Sequence, residues 1–268
     1  MNVRVLIACH KLCQVSDDPL YIPLQVGAAG KSDFGFERDD TGDNISTRNP
    51  MYSELTGLYW AWKNLDVSHL GLVHYRRYFT LKNRPYIKKH GELESALSAE
   101  ECSELLGKYR IIVPAKRNYY IETLYSHYAH TFDASHLDKA KKIIEQLAPE
   151  YLKSFDRAMN KKTGYMFNMF IMDKEMADAY CSWLFPILFE LEKQIDVSEM
   201  TDFEKRYPGR VSERLFNVWL DKQISENRIK ADELKELPYI YLGKEPWAKK
   251  IASFLGAKIL GKQYRRSF

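Results

Sequence analysis

Four short apolar runs, separated by segments with helical spacing, constrain most strongly what this chain can fold into. The runs are VRVLIAC (3–9), HLGLVHYRRYF (69–79), YRIIVPAKR (109–117) and YMFNMFIMD (165–173). Each run is rich in β-branched or aromatic residues and is bounded by polar residues, which is typical of buried strands. Strands that alternate with helices predict βαβ units. The expected fold is therefore α/β, with a mostly parallel sheet flanked by helices.

Capping residues and apolar spacing predict the helices between these runs. Ser98 and Glu101 have the spacing of a capping box, and Ser212 is the predicted N-cap of a helix over 212–226. Further helices are predicted over 51–64, 135–147 and 174–195. The segment 14–50 is rich in Asp, Gly, Ser and Asn, which predicts a long irregular loop of the kind that often carries function.

The charge of the chain is concentrated at its C-terminal end. Residues 244–268 hold seven basic residues and one acidic residue, which leaves 33 basic and 35 acidic residues in the rest of the chain. A near-neutral body argues against nucleic acid as a partner, because tight binding there needs an extended basic face. We therefore divide the chain into a main domain, 1–243, and a basic C-terminal segment, 244–268.

Cysteine usage and hydropathy indicate the compartment. The four cysteines show no spacing typical of a disulfide framework, and Cys9, His10 and Cys13 lack a fourth ligand for zinc. The N-terminus has only a five-residue apolar run, too short for a signal peptide, and no apolar stretch reaches the length of a membrane span. These features predict a cytoplasmic protein.

Polar residues follow the first two apolar runs at the point where each predicted strand ends. His10 and Lys11 follow the first run, and His74, Arg76 and Arg77 lie at the end of the second. The carboxyl ends of parallel strands meet at one edge of a sheet, where ligands bind. Because guanidinium groups pair with phosphate oxygens in two-point geometry, this edge predicts a site for a phosphorylated ligand. The alternative is a pair of surface arginines bound to an acid such as Glu54.

Four longer segments of the sequence carry a resemblance to a known family. They are GDNISTRNPMYSELTGLYWAWKN, LGLVHYRRYF, FNMFIMDKEMADAYCSWLFPILFELE and GRVSERLFNVWL. Together they resemble a family of bacterial glycosyltransferases encoded in capsule, exopolysaccharide and O-antigen loci, long catalogued as a domain of unknown function. The resemblance covers about residues 2–225. It implies a GT-A-like nucleotide-sugar fold, and some relatives are associated with β-galactofuranosyl transfer from UDP-galactofuranose.

The resemblance assigns roles to the strand-end residues. Metal-dependent members of the GT-A class place a DxD motif at the end of a central strand, whereas the comparable strand here ends in His74-Tyr75-Arg76-Arg77. We expect these cations to take the place of the metal and to stabilise the charge that builds on departing UDP. Asn44, Asn49 and Glu54, all from the first quoted segment, are further predicted substrate-binding residues.

No metal or other cofactor is expected, and the UDP-sugar is the donor substrate. The alternative is an ion held by the closely spaced Asp39, Asp40 and Asp43.

An inverting transfer needs a general base for the acceptor hydroxyl. Glu213, one residue after the predicted N-cap Ser212, lies near the position where inverting relatives of this fold carry a catalytic acid. Its alternatives are Asp173 and Glu54, and the helix macrodipole alone would also favour an acid in a first turn. Asn168 either points into the sugar site or is satisfied internally by the backbone.

Aromatic and amphipathic segments predict the remaining partners. A cluster of tyrosines and histidines after the third run suits an acceptor oligosaccharide, and its members are Tyr119, Tyr120, Tyr125, Tyr128, His127 and His130. Residues 244–268 have apolar residues at helical spacing with lysines between them, which predicts an amphipathic helix. Such a helix either lies on an anionic membrane or packs on the domain core.

The resulting expectation is an inverting, metal-independent hexosyltransferase. It would move a hexose, galactofuranose in our prediction, from a UDP-sugar to a glycan or polyprenyl-linked acceptor at the inner face of the plasma membrane. One alternative is a retaining, Mn²⁺-dependent galactopyranosyltransferase. The other is a carbohydrate- or nucleic-acid-binding module without catalysis.

Overall fold

A computed structural model of the protein describes residues 1–243. The helix predicted for residues 244–268 lies outside the described residues. Within residues 1–243, no helix is both long enough and apolar enough to cross a membrane.

The described chain alternates strands and helices. Its strands are β1 (Val3–Cys9), β2 (Tyr21–Gln25), β3 (Glu37–Arg38), β4 (His69–His74), β5 (Arg77–Phe79), β6 (Ile111–Pro114), β7 (Arg117–Asn118), β8 (Thr163–Gly164), β9 (Phe170–Asp173), β10 (Leu234–Leu237) and β11 (Tyr239–Tyr241). Its α-helices are α1 (Asn49–Tyr52), α2 (Leu55–Asn64), α3 (Arg84–His90), α4 (Ala99–Leu106), α5 (Leu124–Thr131), α6 (Ser135–Leu147), α7 (Leu152–Met159), α8 (Lys174–Lys193) and α9 (Tyr207–Ser225).

One nine-stranded sheet organises the molecule. Its order is β10-β6-β9-β4-β1-β2-β3, with β5 paired to β4 and β11 paired to β5, while β7 and β8 form a separate two-stranded sheet. The predicted α/β class is confirmed, but the sheet is mixed. Strand β1 is parallel to β2 and β4, whereas β9 is antiparallel to both β4 and β6. The chain leaves the sheet at the end of β6 and returns at the same edge of the sheet to begin β9. Strand β9 therefore runs antiparallel to β6.

The core lies on both faces of this sheet. In β1 the side chains alternate: Leu6 and Ala8 join the cluster that includes residues of α2, α8 and α9, whereas Val5 and Ile7 join the cluster that includes residues of α4. A strand covered on both faces must be apolar at successive positions. This is why β1 reads as a continuous apolar run and not as an alternating one.

Two predicted segments divide differently in the structure. The run 69–79 is a strand, a turn at Tyr75-Arg76 and a second strand, so β4 and β5 form a hairpin. The segment 14–50, predicted to be an irregular loop, contributes β2 and β3 to the sheet. Strand β2 gains its regular structure by pairing with β1, a contact that local composition does not show.

Helix α9 begins earlier than predicted. It starts at Tyr207 with Pro208 in the first turn, where a missing N–H costs nothing. The prediction that Ser212 is an N-cap is therefore wrong. Its hydroxyl donates to the Gly209 carbonyl oxygen at 2.7 Å within the helix. Glu213 lies beyond the first turn, so the helix-terminus preference for acids does not explain its presence.

Candidate active site at the carboxyl edge

The carboxyl ends of β1, β4 and β6 lie at one edge of the sheet, which we call the carboxyl edge. Strands β1 and β4 are parallel, and β9 is antiparallel to both β4 and β6, so all three end on the same side. Because β9 runs the other way, the residues that lead into it, Phe167 and Asn168, also reach this edge. The edge therefore collects groups from distant parts of the sequence.

The turn after β4 carries the two arginines to this edge. Arg76 Nη1 donates to the Tyr241 hydroxyl at 3.3 Å. The Arg77 guanidinium carbon lies 4.4 Å from the Phe167 ring centroid and 5.3 Å from that of Tyr241. Arg77 Nε is buried and has no hydrogen-bond partner among the described residues. The arginines are thus held by aromatic rings, and Glu54 binds a different partner.

Phe167 holds the centre of the site through its backbone. Its φ of 75° lies in the left-handed region that non-glycine residues rarely adopt, and such strain is often found at functional sites. His74 Nε2 lies 2.5 Å from the Phe167 carbonyl oxygen, so this nitrogen carries the proton. The Phe167 N–H donates to Glu213 Oε1 at 3.0 Å. One peptide group on each side of Phe167 therefore connects the strand end of β4 to helix α9.

Asn168 is the second left-handed residue, with φ 52°, and it is buried. Its Nδ2 donates to Glu54 Oε1 at 2.7 Å and to the Gly209 carbonyl oxygen at 3.1 Å. Its Oδ1 lies 3.0 Å from the Ser212 hydroxyl, whose single hydrogen is shared with the Gly209 carbonyl oxygen. Both ends of the amide therefore bind protein groups, and Asn168 positions Glu54 against helix α9.

The Glu213 carboxylate is largely buried, and part of its side chain is exposed to solvent. Its side chain is 24% exposed, and Oε2 lies 3.4 Å from Arg214 Nη1. Burial raises the pKa of Glu213, and the Glu54 carboxylate adds to this, while Arg214, the Phe167 N–H and Arg77 oppose it. A carboxylate with a raised pKa accepts a proton more readily near neutral pH. Glu213 therefore has the properties of a general base.

The turn that carries Glu54 is shaped by Asn49. Asn49 Nδ2 donates to the Ser53 carbonyl oxygen at 2.8 Å, and Ser53 has a φ of 52°. Asn44, by contrast, closes a local turn: it donates to the Gly42 carbonyl oxygen and accepts from the Ser46 N–H. These contacts give Asn49 a positioning role and place Asn44 in the loop before α1, so a substrate contact for either stays a prediction.

A histidine and two cationic side chains contact Tyr75. His10 packs edge-on at 4.9 Å between ring centroids, Lys11 Nζ lies 5.7 Å from the ring centroid, and the Arg76 guanidinium carbon lies 5.1 Å from it. Burial lowers the pKa of His10, and the charge of Lys11 adds to this. Lys11, Tyr75 and Arg76 line a cavity of about 500 Å³, a volume that suits a small-molecule ligand.

The acidic residues that the sequence suggested as metal ligands bind other protein groups. Asp39 is buried and accepts hydrogen bonds from the Gly27 and Ala28 N–H groups, and Asp40 pairs with Arg38 at 2.7 Å. Within residues 1–243 no group of three or more His, Cys, Asp or Glu side chains is arranged to hold a metal. The side chains at the end of β4 are basic, and the absence of a metal requirement stays a prediction. The further alternative base, Asp173, caps α8 and pairs with Arg110 at 2.9 Å at the opposite edge of the sheet.

A second group of residues extends the site beyond Glu213. Arg214 is buried, and its Nη2 lies 3.4 Å from His127 Nδ1, while the His127 ring lies 4.1 Å from the Tyr119 ring. Burial and the neighbouring charge of Arg214 lower the pKa of His127 to about 3. Of the predicted acceptor cluster, Tyr119 and Tyr128 are buried, so only part of that cluster faces solvent.

Several residues of the site were missed by the sequence analysis. Phe167 lies inside a run predicted to be strand, and Tyr241 comes from β11, at the far end of the described chain. Arg214 is adjacent to Glu213 in sequence but is not part of a recognisable functional motif. A signal existed only for Phe167, because Phe-Asn before an apolar strand is compatible with a turn residue at Asn168.

The fold is shared with a glycosyltransferase of known structure. The chain is similar to the apo structure of WbbM, a bifunctional glycosyltransferase, with a TM-score of 0.82 and 30% sequence identity. The similarity covers 91% of this chain and 46% of that one, so the chain spans about half the length of that protein.

Residues 4–224 match the family described as Domain of unknown function (DUF4422), and the chain belongs to this family. No curated protein matches the chain. The resemblance inferred from the four sequence segments is confirmed.

Proposed function

We propose that the protein is a glycosyltransferase that moves a hexose from a UDP-sugar to a glycan acceptor. The observation that carries the proposal is the contact set around Phe167, which places the Arg77 cation and the Glu213 carboxylate on one residue at the carboxyl edge. The similarity to a bifunctional glycosyltransferase over 91% of the chain supports it. The donor in our proposal is UDP-galactofuranose, and the acceptor is a lipid-linked glycan of capsule, exopolysaccharide or O-antigen synthesis.

In this mechanism the cations act on the leaving diphosphate and the carboxylate acts on the acceptor hydroxyl. Arg76, Arg77 and Lys11 bind the diphosphate and stabilise the negative charge that it gains when the bond to the anomeric carbon breaks. Glu213 takes the proton of the acceptor hydroxyl as its oxygen forms the new bond to that carbon. The diphosphate leaves without a proton, so one carboxylate is sufficient. The reaction is inverting and does not use a metal ion.

The decisive experiment measures UDP release from UDP-galactofuranose, UDP-galactopyranose and UDP-glucose with a synthetic glycan acceptor, with and without EDTA. We expect release from UDP-galactofuranose, unchanged by EDTA, and a product of inverted anomeric configuration by NMR. Loss of activity in EDTA together with a retained anomer would establish the Mn²⁺-dependent alternative. A folded protein that turns over no UDP-hexose or UDP-hexofuranose, and binds RNA or glycan without binding UDP, would be a binding module.

The role of Glu213 has its own test. We expect Glu213→Gln to lower kcat by at least roughly 100-fold, because general base catalysis contributes that much or more, with little change in UDP affinity. Glu175→Gln, which changes an exposed glutamate at the opposite edge, is the matched control. If Glu54→Gln proves the more damaging change and Glu213→Gln is active, the base is Glu54.

A further inference from the structure

Two large apolar side chains project into solvent at the turn between β7 and α5. Tyr120 is 77% exposed and Ile121 is 65% exposed. We call these two residues the apolar tip. Exposed apolar residues scattered singly are common, whereas these two are adjacent and form a small exposed apolar patch.

The chain holds the apolar tip outward by anchoring it on both sides. Before the tip, Tyr119 is buried and its N–H donates to the Lys162 carbonyl oxygen at 2.8 Å. After it, the buried Glu122 lies 2.6 Å from His130 Nδ1. Tyr120 itself has a φ of 58°, a conformation that disfavours a non-glycine residue. The turn therefore holds both side chains in solvent although the backbone of Tyr120 is strained.

Basic residues lie at the base of the turn that carries the tip, and we call Arg117, Lys161 and Lys162 the basic rim. Arg117, Lys161 and Lys162 are exposed, and the pairing of β7 with β8 brings them to the base of the turn. Asp221 pairs with both Lys161 and Arg157, so this group keeps a positive charge. Lys116 pairs with Glu236. The rim is therefore net positive.

We propose that the apolar tip and the basic rim form a membrane contact that binds anionic phospholipid surfaces. A tyrosine and an isoleucine at a protruding turn can enter the headgroup and upper acyl region, while lysine and arginine bind the lipid phosphates. All residues of this contact belong to the main domain. This membrane contact borders the site, since contacts run from Tyr119 through His127 and Arg214 to Glu213. The membrane would then lie on the side from which a lipid-linked acceptor reaches Glu213, a consequence that rests on the proposed function.

A label at the tip reports membrane contact independently of activity. We place an environment-sensitive dye on Ile121→Cys in a full-length Cys13→Ser background and add phosphatidylglycerol vesicles. We expect a blue shift with these vesicles and none with phosphatidylcholine vesicles. The same dye on Leu147→Cys, a position 55% exposed at the end of α6, is the control and should not shift. Sedimentation of the protein with vesicles while the dye at position 121 stays in water would overturn the proposal.

A binding measurement completes the test. The double variant Tyr120→Ser/Ile121→Ser changes only exposed side chains, and we expect it to bind phosphatidylglycerol vesicles roughly tenfold more weakly than the parent. The matched control Tyr86→Ser/Leu147→Ser, two other exposed apolar positions, should bind like the parent. Parental vesicle binding by the tip variant, with weaker binding of a soluble glycan acceptor instead, would show that the tip contacts glycan and would reject the membrane contact.

Discussion

Arg77 lies between two aromatic rings, and its Nε has no hydrogen-bond partner in the described part of the chain. The side chain is half-buried, and the Glu213 carboxylate interacts with its charge. A cation over an aromatic ring gains about 0.5–2 kcal/mol, and a buried donor without a partner costs about 1–3 kcal/mol. We interpret Arg77 as a preorganised cation whose missing partner is the ligand.

For Arg77→Ala we expect turnover to fall at least roughly tenfold and UDP to bind more weakly, because a transition-state cation is lost. The folded state should be about as stable as the parent, since the lost ring contacts are offset by the removal of a buried donor without a partner. Steady-state kinetics, UDP calorimetry and urea unfolding measure the three quantities. Arg84→Ala, on the exposed helix α3, is the control. If the Arg77 variant turns over substrate as fast as the parent, Arg77 is a surface residue without a role in catalysis.

His127 predicts a pH dependence of stability. Burial and the charge of Arg214 lower its pKa to about 3, so the folded protein keeps it neutral while the unfolded chain protonates it near its usual value of 6.5. A group with a lowered folded pKa stabilises fully above the unfolded pKa, and this contribution is lost as the pH falls from 6.5 towards 3.

We expect His127→Asn, which keeps an acceptor for Arg214, to remove about 1–2 kcal/mol of the stability lost between pH 7 and pH 5. Urea unfolding of both proteins at pH 7, 6 and 5 measures this difference. The other histidines with lowered pKa, such as His136, contribute equally to the parent and the variant. Parallel pH profiles for the two proteins would show that His127 is protonated in the folded state.

At the scale of elements, the site depends on the close spacing of β1, β4 and β9. Gly71 in β4 pairs with Val5 of β1 on one side and with Ile171 of β9 on the other. A Cβ at Gly71 would meet Val5 Cγ2 at 2.8 Å and Ile171 Cγ1 at 2.9 Å. The strand that carries His74 and Arg76 to the edge is therefore fixed by packing on both neighbours.

Gly71→Ala should lower the free energy of unfolding by about 1–3 kcal/mol, because a methyl group in this space forces its neighbours to shift. Gly107→Ala is the control: its Cβ would meet only ordinary contacts at 3.5 Å or more, and its φ is −69°. We expect that variant to be unchanged or stabilised by about 0.4–1 kcal/mol. Chemical denaturation compares the two, and an equal effect would argue against tight packing at Gly71.

At the scale of the whole molecule, the near-neutral main domain is followed by a segment with seven basic residues. The described chain reaches Gly243 beside the site, since Gly243 lines the same cavity as Lys11 and Arg76. The basic segment therefore begins at the carboxyl edge. Each lysine or arginine near an anionic membrane surface adds about 1 kcal/mol to membrane binding.

We expect the full chain to sediment with phosphatidylglycerol liposomes at low salt, and a chain ending at Gly243 to bind more weakly and with less salt dependence. The variant Tyr120→Ser/Ile121→Ser, made in the full chain and in the shortened chain, separates the contribution of the apolar tip from that of the segment 244–268. Circular dichroism shows that the shortened chain is folded. Equal binding by both chains would assign the membrane contact to the main domain alone.

Local sequence pattern was sufficient to identify the buried segments and the strand ends that carry charge. The apolar runs predicted β1, β4, β6 and β9, and the α/β class followed from their alternation with helices. It also placed His10, Lys11, Arg76 and Arg77 at strand ends, because these residues follow their strands directly. Such features depend on neighbours within a few residues, which periodicity reports.

Local pattern did not predict the direction of β9, the start of α9 or the surroundings of the arginines. The contacts of Arg77 with Phe167 and of Arg76 with Tyr241 join residues 90 and 165 positions apart. The left-handed turn at Phe167 and Asn168 is held by Glu54, His74 and Glu213, none of which is near it in sequence. Long-range pairing of this kind is stabilised by packing and hydrogen bonds that form only after the chain has folded, and local propensity does not encode it.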